Sequence, residues 1–220
     1  MLHGFRSTYA REFDEVRSEL ITMSVLVDTA IDRSMLALLD RDTKLADSVI
    51  KNDLEINKSR YQIEESCLTL IATQQPAASD LREIIAILYM IVEMERMGDY
   101  AAGIAKTVIM MEEEPLLKTF KKIFKMAKIS RSMLADSIQA FMKRDPVWAR
   151  EIASRDNEID ELYKIVFQRS IKIMVNEPDM VTRCTYLMWC SHNLERIADR
   201  VINIAEQITF MTTGMLKEFE

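Results

Sequence analysis

Turn-forming residues are scarce in this chain: of 220 residues only four are glycine and four proline. A fold built from many short strands needs such residues every few positions, so the shortage argues against a β-rich architecture. Cysteine is scarce as well. Cys67, Cys184 and Cys190 form an odd set without CxxC spacing, which reads against a disulfide frame or zinc knuckle and fits free thiols in a reducing, cytoplasmic setting. A surplus of positive charge is missing, since the net charge is −6, and that argues against nucleic acid as a partner. Long apolar runs are absent too. The longest, Ile84 to Val92, is about half of the roughly 20 residues a membrane span requires, so any membrane contact is expected to be peripheral. Met1 to Ala10 shows no apolar core of a secretory leader.

What the chain does have is apolar content, 49% by composition, and long stretches of helical periodicity. Pro76, Pro115, Pro146 and Pro178 divide most of it into segments of about 30 residues. The spacing predicts six helices over about 8–40, 43–74, 77–111, 116–143, 146–176 and 179–212. Asp145-Pro146 marks one start, with the carboxylate capping free amides and proline in the first helical position. The sixteen methionines suit a bundle interior, where flexible thioethers fill uneven gaps between helices.

The two halves repeat each other. Leu39-Asp40-Arg41-Asp42-Thr43 with Ala46 matches Met142-Lys143-Arg144-Asp145-Pro146 with Ala149, so Asp42 is expected to cap as Asp145 does. Asp53-Leu54-Glu55-Ile56-Asn57 parallels Asp156-Asn157-Glu158-Ile159-Asp160, and Gln75-Pro76 parallels Glu177-Pro178. Glu95-Arg96-Met97-Gly98-Asp99 parallels Glu195-Arg196-Ile197-Ala198-Asp199. The expected fold is all-α: two tandem, structurally similar three-helix bundles of six long antiparallel helices, covering 8–112 and 113–213.

Acidic residues stand where apolar ones are expected. In the third helix Leu81, Ile84, Ile85, Leu88, Ile91 and Val92 share an arc that Glu95 and Asp99 continue, with Arg96 on its polar flank. Cys184, Leu187, Met188, Ala198 and Ile202 do the same around Glu195 and Asp199. Ala149, Ala153, Asp156, Asp160, Tyr163 and Phe167 share a stripe on the fifth helix, while Asp53 and Asn57 lie among Ala46, Ile50 and Leu68 on the second. Unpaired carboxylates removed from water cost several kcal/mol each, so such clusters call for a cation, a basic side chain or retained hydration. Oxygen donors from neighbouring helices suit a hard divalent cation or iron. Ion pairing to Arg96 and Arg196 is the competing explanation.

Several of these segments together resemble the PhoU family over nearly the whole chain. Phe13-Asp14-Glu15 leading to Leu20 and Met23 is similar to its first helix, and Gln75-Pro76-Ala77-Ala78-Ser79-Asp80-Leu81-Arg82 to its second-to-third helix junction. Glu95-Arg96-Met97-Gly98-Asp99 and Asn193-Leu194-Glu195-Arg196-Ile197-Ala198-Asp199-Arg200 are similar to its paired motifs. The resemblance implies a cytoplasmic accessory of the phosphate ABC transporter that represses the phosphate-starvation response. It also implies a link to a membrane sensor histidine kinase, and no enzymatic activity. The family's E(D)xxxD motifs coordinate metal clusters in some members. Carried over, they place metal ligands at Glu95 with Asp99, Asp156 with Asp160, and Glu195 with Asp199. Asp53 is followed by Asn57 rather than a second acid, so the first-half site is expected to be weaker or empty.

Other features invite sharper and plainer readings. Lys118, Lys121, Lys122, Lys125 and Lys128, extended by Arg131, form a basic stripe that reads as a solvated face, with docking to an acidic partner or anionic lipid as the alternative. His192 could join Glu195 and Asp199, although a boundary histidine is the plainer expectation. A carboxylate-bridged di-iron enzyme is disfavoured, because Glu-x-x-His pairs are missing and only His3 and His192 exist. A related scaffold serving another transporter remains an alternative function. A homodimer is expected, with its interface unlocated.

Overall fold

A computed structural model describes residues 2–111, 120–216 and 218–219. Seven α-helices account for nearly all of them: α1 (Leu2–Asp40), α2 (Thr43–Gln74), α3 (Ala78–Met111), α4 (Phe120–Lys143), α5 (Pro146–Ala153), α6 (Asp156–Asn176) and α7 (Val181–Thr213). A 3-10 turn at Pro178–Met180 leads into α7. The expected boundary at 112/113, the start of the fourth helix, Pro115 and Lys118 all lie outside the described residues.

The turns into α2 and α5 are duplicates in atomic detail. Asp42 Oδ1 accepts from the amides of Lys44 and Leu45, both at 2.9 Å, and Asp145 Oδ1 accepts from those of Val147 and Trp148, both at 3.0 Å. The preceding residue is left-handed in each, Arg41 at φ 55° and Arg144 at φ 52°. That conformation costs roughly 1–2 kcal/mol for a residue with a Cβ. It lets the next amide bond back across the turn, Asp42 to Ala37 O and Asp145 to Ala140 O, each at 3.0 Å.

One expected helix is two. The segment predicted as continuous over 146–176 tightens at Ser154 and Arg155, where the Arg155 amide donates to Ile152 O and the Glu158 amide to Arg155 O, both at 3.1 Å. Ser154 Oγ donates to Glu151 O at 2.7 Å, offering the backbone a local alternative to the helix. Arg155 is drawn to α4, donating to Asp136 at 2.6 Å and to Ser132 at 2.8 Å. No proline or glycine announces the break.

Helices α1 to α3 form one bundle and α4 to α7 the other. They join mainly through α3 against α7, with α1 against α4 beside them. Met23, Met35, Met90, Met94, Met97, Met126 and Met133 are buried in the shared core, as their flexible side chains suit. At Gly103 an added Cβ would come within 3.3 Å of the Asn193 amide, so the absence of a side chain lets α3 and α7 approach.

Ion-paired ties cross between the bundles, none of them evident in the sequence. Glu93 on α3 accepts from Arg200 at 3.2 Å and from Asn203 at 3.0 Å on α7. Arg131 leaves the basic stripe to pair with Asp28 at 2.7 Å and with Asp32 on α1. Glu83, 2% exposed, is held by Arg17 at 2.7 Å and by Arg144 from the turn into α5. A carboxylate that deep persists because both of its oxygens meet a guanidinium.

Candidate functional site

The repeat brings the expected acidic residues together in two clusters, one per bundle. In the first, Asp53 on α2 lies near Glu95 and Asp99 on α3. Burial, then the Asp99 and Glu95 charges, hold the Asp53 carboxyl above its ordinary range, against a smaller pull from Lys106. Helices α2 and α3 come close here because Gly98 has no side chain: a Cβ would meet Ile56 Cδ1 at 2.9 Å and Asp53 Oδ1 at 3.0 Å. Arg60 lies 3.5 Å from Glu95 and offsets part of the charge. Asp99 is exposed and Asn57 half-buried, so this cluster opens towards solvent.

The second cluster is more crowded. Asp156 and Asp160 on α6 meet Glu195 and Asp199 on α7, among the buried side chains of Ile159, Leu194, Ala198 and Val201. Burial, followed by the charges of Asp160, Asp199 and Glu195, pushes Asp156 up to about 7. Glu195 is raised by burial and by Asp199, against Arg196 and His192. Asp199 is raised by burial, against Arg196 and Arg200. The Arg196 guanidinium spans the pair, 3.5 Å from Glu195 and 3.2 Å from Asp199, and Arg200 lies 3.9 Å from Asp199. The ion pairing anticipated for Arg196 is therefore present, whereas Arg96 turns away to Glu93 at 3.3 Å.

Some expectations need correction. Leu68, read as part of the apolar face of α2, is 56% exposed, because the buried face runs through Val49, Ile56, Ile63, Cys67 and Leu70 instead. Phe167 is also exposed, because the buried face of α6 runs through Ile159, Leu162 and Val166 instead. His192 is exposed, with Nδ1 3.5 Å from Glu195.

The donor chemistry fits a hard cation, being all oxygen and short of compensating hydrogen bonds: Asp156 Oδ1 and Glu195 Oε2 are buried without a hydrogen-bond partner. Among the described residues no three His, Cys, Asp or Glu side chains converge on a single ion-sized position, so holding a cation requires these carboxylates to rotate inward. Beside Asp156 a cavity of about 320 Å³ is lined by Arg150, Ser154, Asn157 and Phe219. The Phe219 amide donates to Glu206 at 2.9 Å, closing one side.

Two tandem bundles carrying acidic side chains on matching helices define a duplicated helical scaffold with an acidic cluster in each half. The PhoU domain family matches residues 20–108 and 123–208, and the chain belongs to that family. The phosphate-specific transport system accessory protein PhoU homolog of Streptococcus pneumoniae is 34% identical over 96% of this chain and 98% of its own. The homolog of the same name from Pseudomonas putida is 33% identical over 97% of this chain and 84% of its own. The crystal structure of the phosphate transport system regulatory protein PhoU from Streptococcus pneumoniae superposes with a TM-score of 0.90 at 33% identity, covering 96% of this chain and all of that one. PhoU from Pseudomonas aeruginosa gives 0.89 at 32% identity, covering 94% and all of that chain.

Proposed function

We propose that the chain is a cytoplasmic negative regulator of phosphate uptake and of the phosphate-starvation response. In this reading it couples a high-affinity phosphate ABC transporter to a membrane sensor histidine kinase, restraining both when phosphate is plentiful. The observation that carries the reading is likeness across nearly the whole chain to proteins named as accessories of phosphate-specific transport. Such a connector works through surfaces and not through a catalytic centre. No described helix is long and apolar enough to cross a membrane, which is compatible with contact through partners.

Asp156, Asp160, Glu195 and Asp199 would hold a divalent cation or iron, with Glu95, Asp99 and Asp53 a second, weaker set. A bound cation supplies the positive charge that the crowded carboxylates lack. The residues themselves set the preference: four acids in the second half draw a cation more strongly than three acids with Asn57 in the first. A homodimer completes the reading.

Deleting the gene and following a phosphatase reporter in phosphate-rich medium tests the assignment. Derepression reversed by the intact gene is expected. Continued full repression would overturn it, and recovery of a different transporter in a pull-down would redirect the scaffold to that system.

A further inference from the structure

Between Glu114 and Asp136 the chain has no acidic residue and six basic ones, although its net charge is −6. The alignment that matches Asp42 with Asp145 sets this stretch against 12–32 of α1, which has six acids and one base, Arg17. Lys121, Lys122, Lys125 and Lys128 therefore stand where α1 has Ser18, Glu19, Thr22 and Val25. The duplicated fold does not call for these lysines.

Packing adds an apolar element. Helices α1 and α4 run antiparallel, because Arg17 and Arg144 meet at Glu83 while Asp28 and Asp32 meet Arg131. In that register Leu36, one turn past Asp32, comes level with Phe124, two turns before Arg131. Leu36 is 37% exposed and Phe124 42%. Lys121 and Lys128, three residues before Phe124 and four after it, are exposed beside the ring, and Lys125 is exposed as well.

Acids on the neighbouring helices do not cancel this end of α4. Asp28 and Asp32 are taken by Arg131, two turns away, and Asp136 by Arg155. Glu158 on α6 takes Lys125 at 2.6 Å, in a pair with both side chains more than half exposed, which is worth little. Glu161 is paired with Lys164, and the end of α1 adds one charge of each sign, Asp40 and Arg41. Among the described residues no ion pair engages Lys121, Lys122 or Lys128. Three positive charges are left over around Phe124 and Leu36.

We propose that this corner of the α1 and α4 face rests on the anionic surface of a lipid bilayer. Phe124 and Leu36 enter the headgroup layer, and the lysines meet acidic headgroups around them. The proposal goes beyond the regulatory reading, in which the membrane is reached through partners, and stands without it. Lysine carries a compact charge on a flexible stem, which suits a diffuse negative surface, whereas a fixed carboxylate on a protein suits the forked guanidinium of arginine. An exposed aromatic ring among lysines also matches the layering of a bilayer surface, with charge outside and hydrocarbon beneath. Three lysines and two apolar side chains give weak, salt-sensitive binding.

Flotation of the full chain with lipid vesicles tests this, with circular dichroism to verify that each variant is helical. Binding is expected to vesicles of phosphatidylcholine with about 30% phosphatidylglycerol at about 50 mM salt, and is expected to be lost above about 500 mM. No binding is expected to phosphatidylcholine alone. Lys121→Gln with Lys128→Gln is expected to weaken binding about 25-fold, at about fivefold per lysine, and Phe124→Ala about fivefold. Lys51→Gln with Lys58→Gln, which lowers the net charge equally but on α2, is expected to leave binding within about twofold. Equal binding to neutral vesicles, an equal effect of the two double variants, or no binding at about 5 mM lipid would overturn the proposal. If vesicles fail and a polyglutamate peptide is captured, with capture lost in Lys121→Gln with Lys128→Gln, the face belongs to an acidic protein surface instead. The reporter assay reads the phosphate assignment separately.

Discussion

The two acidic clusters occupy matching positions of a duplicated bundle, yet they differ in charge load and in closeness of packing. The first holds three acids and an amide, with Arg60 at hand and Asp99 in solvent. The second holds four acids in a tighter setting, and Asp156 is pushed up to about 7 despite Arg196, Arg200 and His192 nearby. Gly98 stands in the first where Ala198 stands in the second. The same backbone template thus carries one cluster whose charge is eased by Arg60 and solvent, and one in which burial raises Asp156, Glu195 and Asp199 together. Where ionised carboxylates are crowded beyond the reach of their counter-charges, a cation has the most to gain.

The sharpest way to break the comparison is to take the second half below the charge load of the first, leaving it two acids, Glu195 and Asp199, against three. Asp156→Asn with Asp160→Asn is expected to weaken Mn²⁺ binding about 100-fold in isothermal titration. The same change is expected to raise the thermal midpoint of the metal-free protein, because it removes crowded charges. Unchanged Mn²⁺ binding would show that these residues are not ligands. The reverse substitution, Asn57→Asp, is expected to tighten binding in the first half about tenfold, read by the same titration.

Packing offers a second contrast. Gly98→Ala is expected to cost about 1–2 kcal/mol, since the clash with Ile56 and Asp53 outweighs the gain in helix propensity. Chemical denaturation checks it, and a neutral or stabilising result would mean that α2 and α3 can move apart freely.

A third test uses pH. Asp156 titrates near 7 when folded, far above the ordinary carboxylate range, so between about pH 4 and 7 the folded state retains a proton that the unfolded chain has released. The resulting stability is full at the acidic end and is lost as pH rises through 7. In chelator, the unfolding free energy is expected to fall between pH 5 and 8 by an amount on the order of 1 kcal/mol, after allowing for solvent screening, and the thermal midpoint to fall with it. Asp156→Asn is expected to flatten this slope, and a flat wild-type profile would contradict the crowding. The smallest effect is expected for Lys164→Ala: it removes an exposed pair with Glu161, and stability stays within about 0.5 kcal/mol.

Much of this was legible in the sequence because duplication prints the same constraints twice. Asp42 and Asp145 cap as expected since capping depends on only a few neighbouring residues. The facing pairs Asp53 with Glu95, and Asp156 with Glu195, follow from helical periodicity and antiparallel order. The break at Ser154–Arg155 was hidden because it depends on Arg155 reaching Asp136 across the bundle. Leu68 was misplaced for a related reason: on a helix touching neighbours on one side only, a leucine near the boundary can face either way, and Ile63, Cys67 and Leu70 fix the rotation. Glu83 and Glu93 escaped notice because their partners, Arg144 and Arg200, are distant in sequence.

Glu93 lies two residues before Glu95 and is tied to Arg200, the neighbour of Asp199. One guanidinium is thus shared between a strut joining the bundles and the rim of the second groove, while α3 itself forms a wall of the first. Any change of charge at Asp199 is therefore felt at Glu93, through the guanidinium that lies between the two carboxylates.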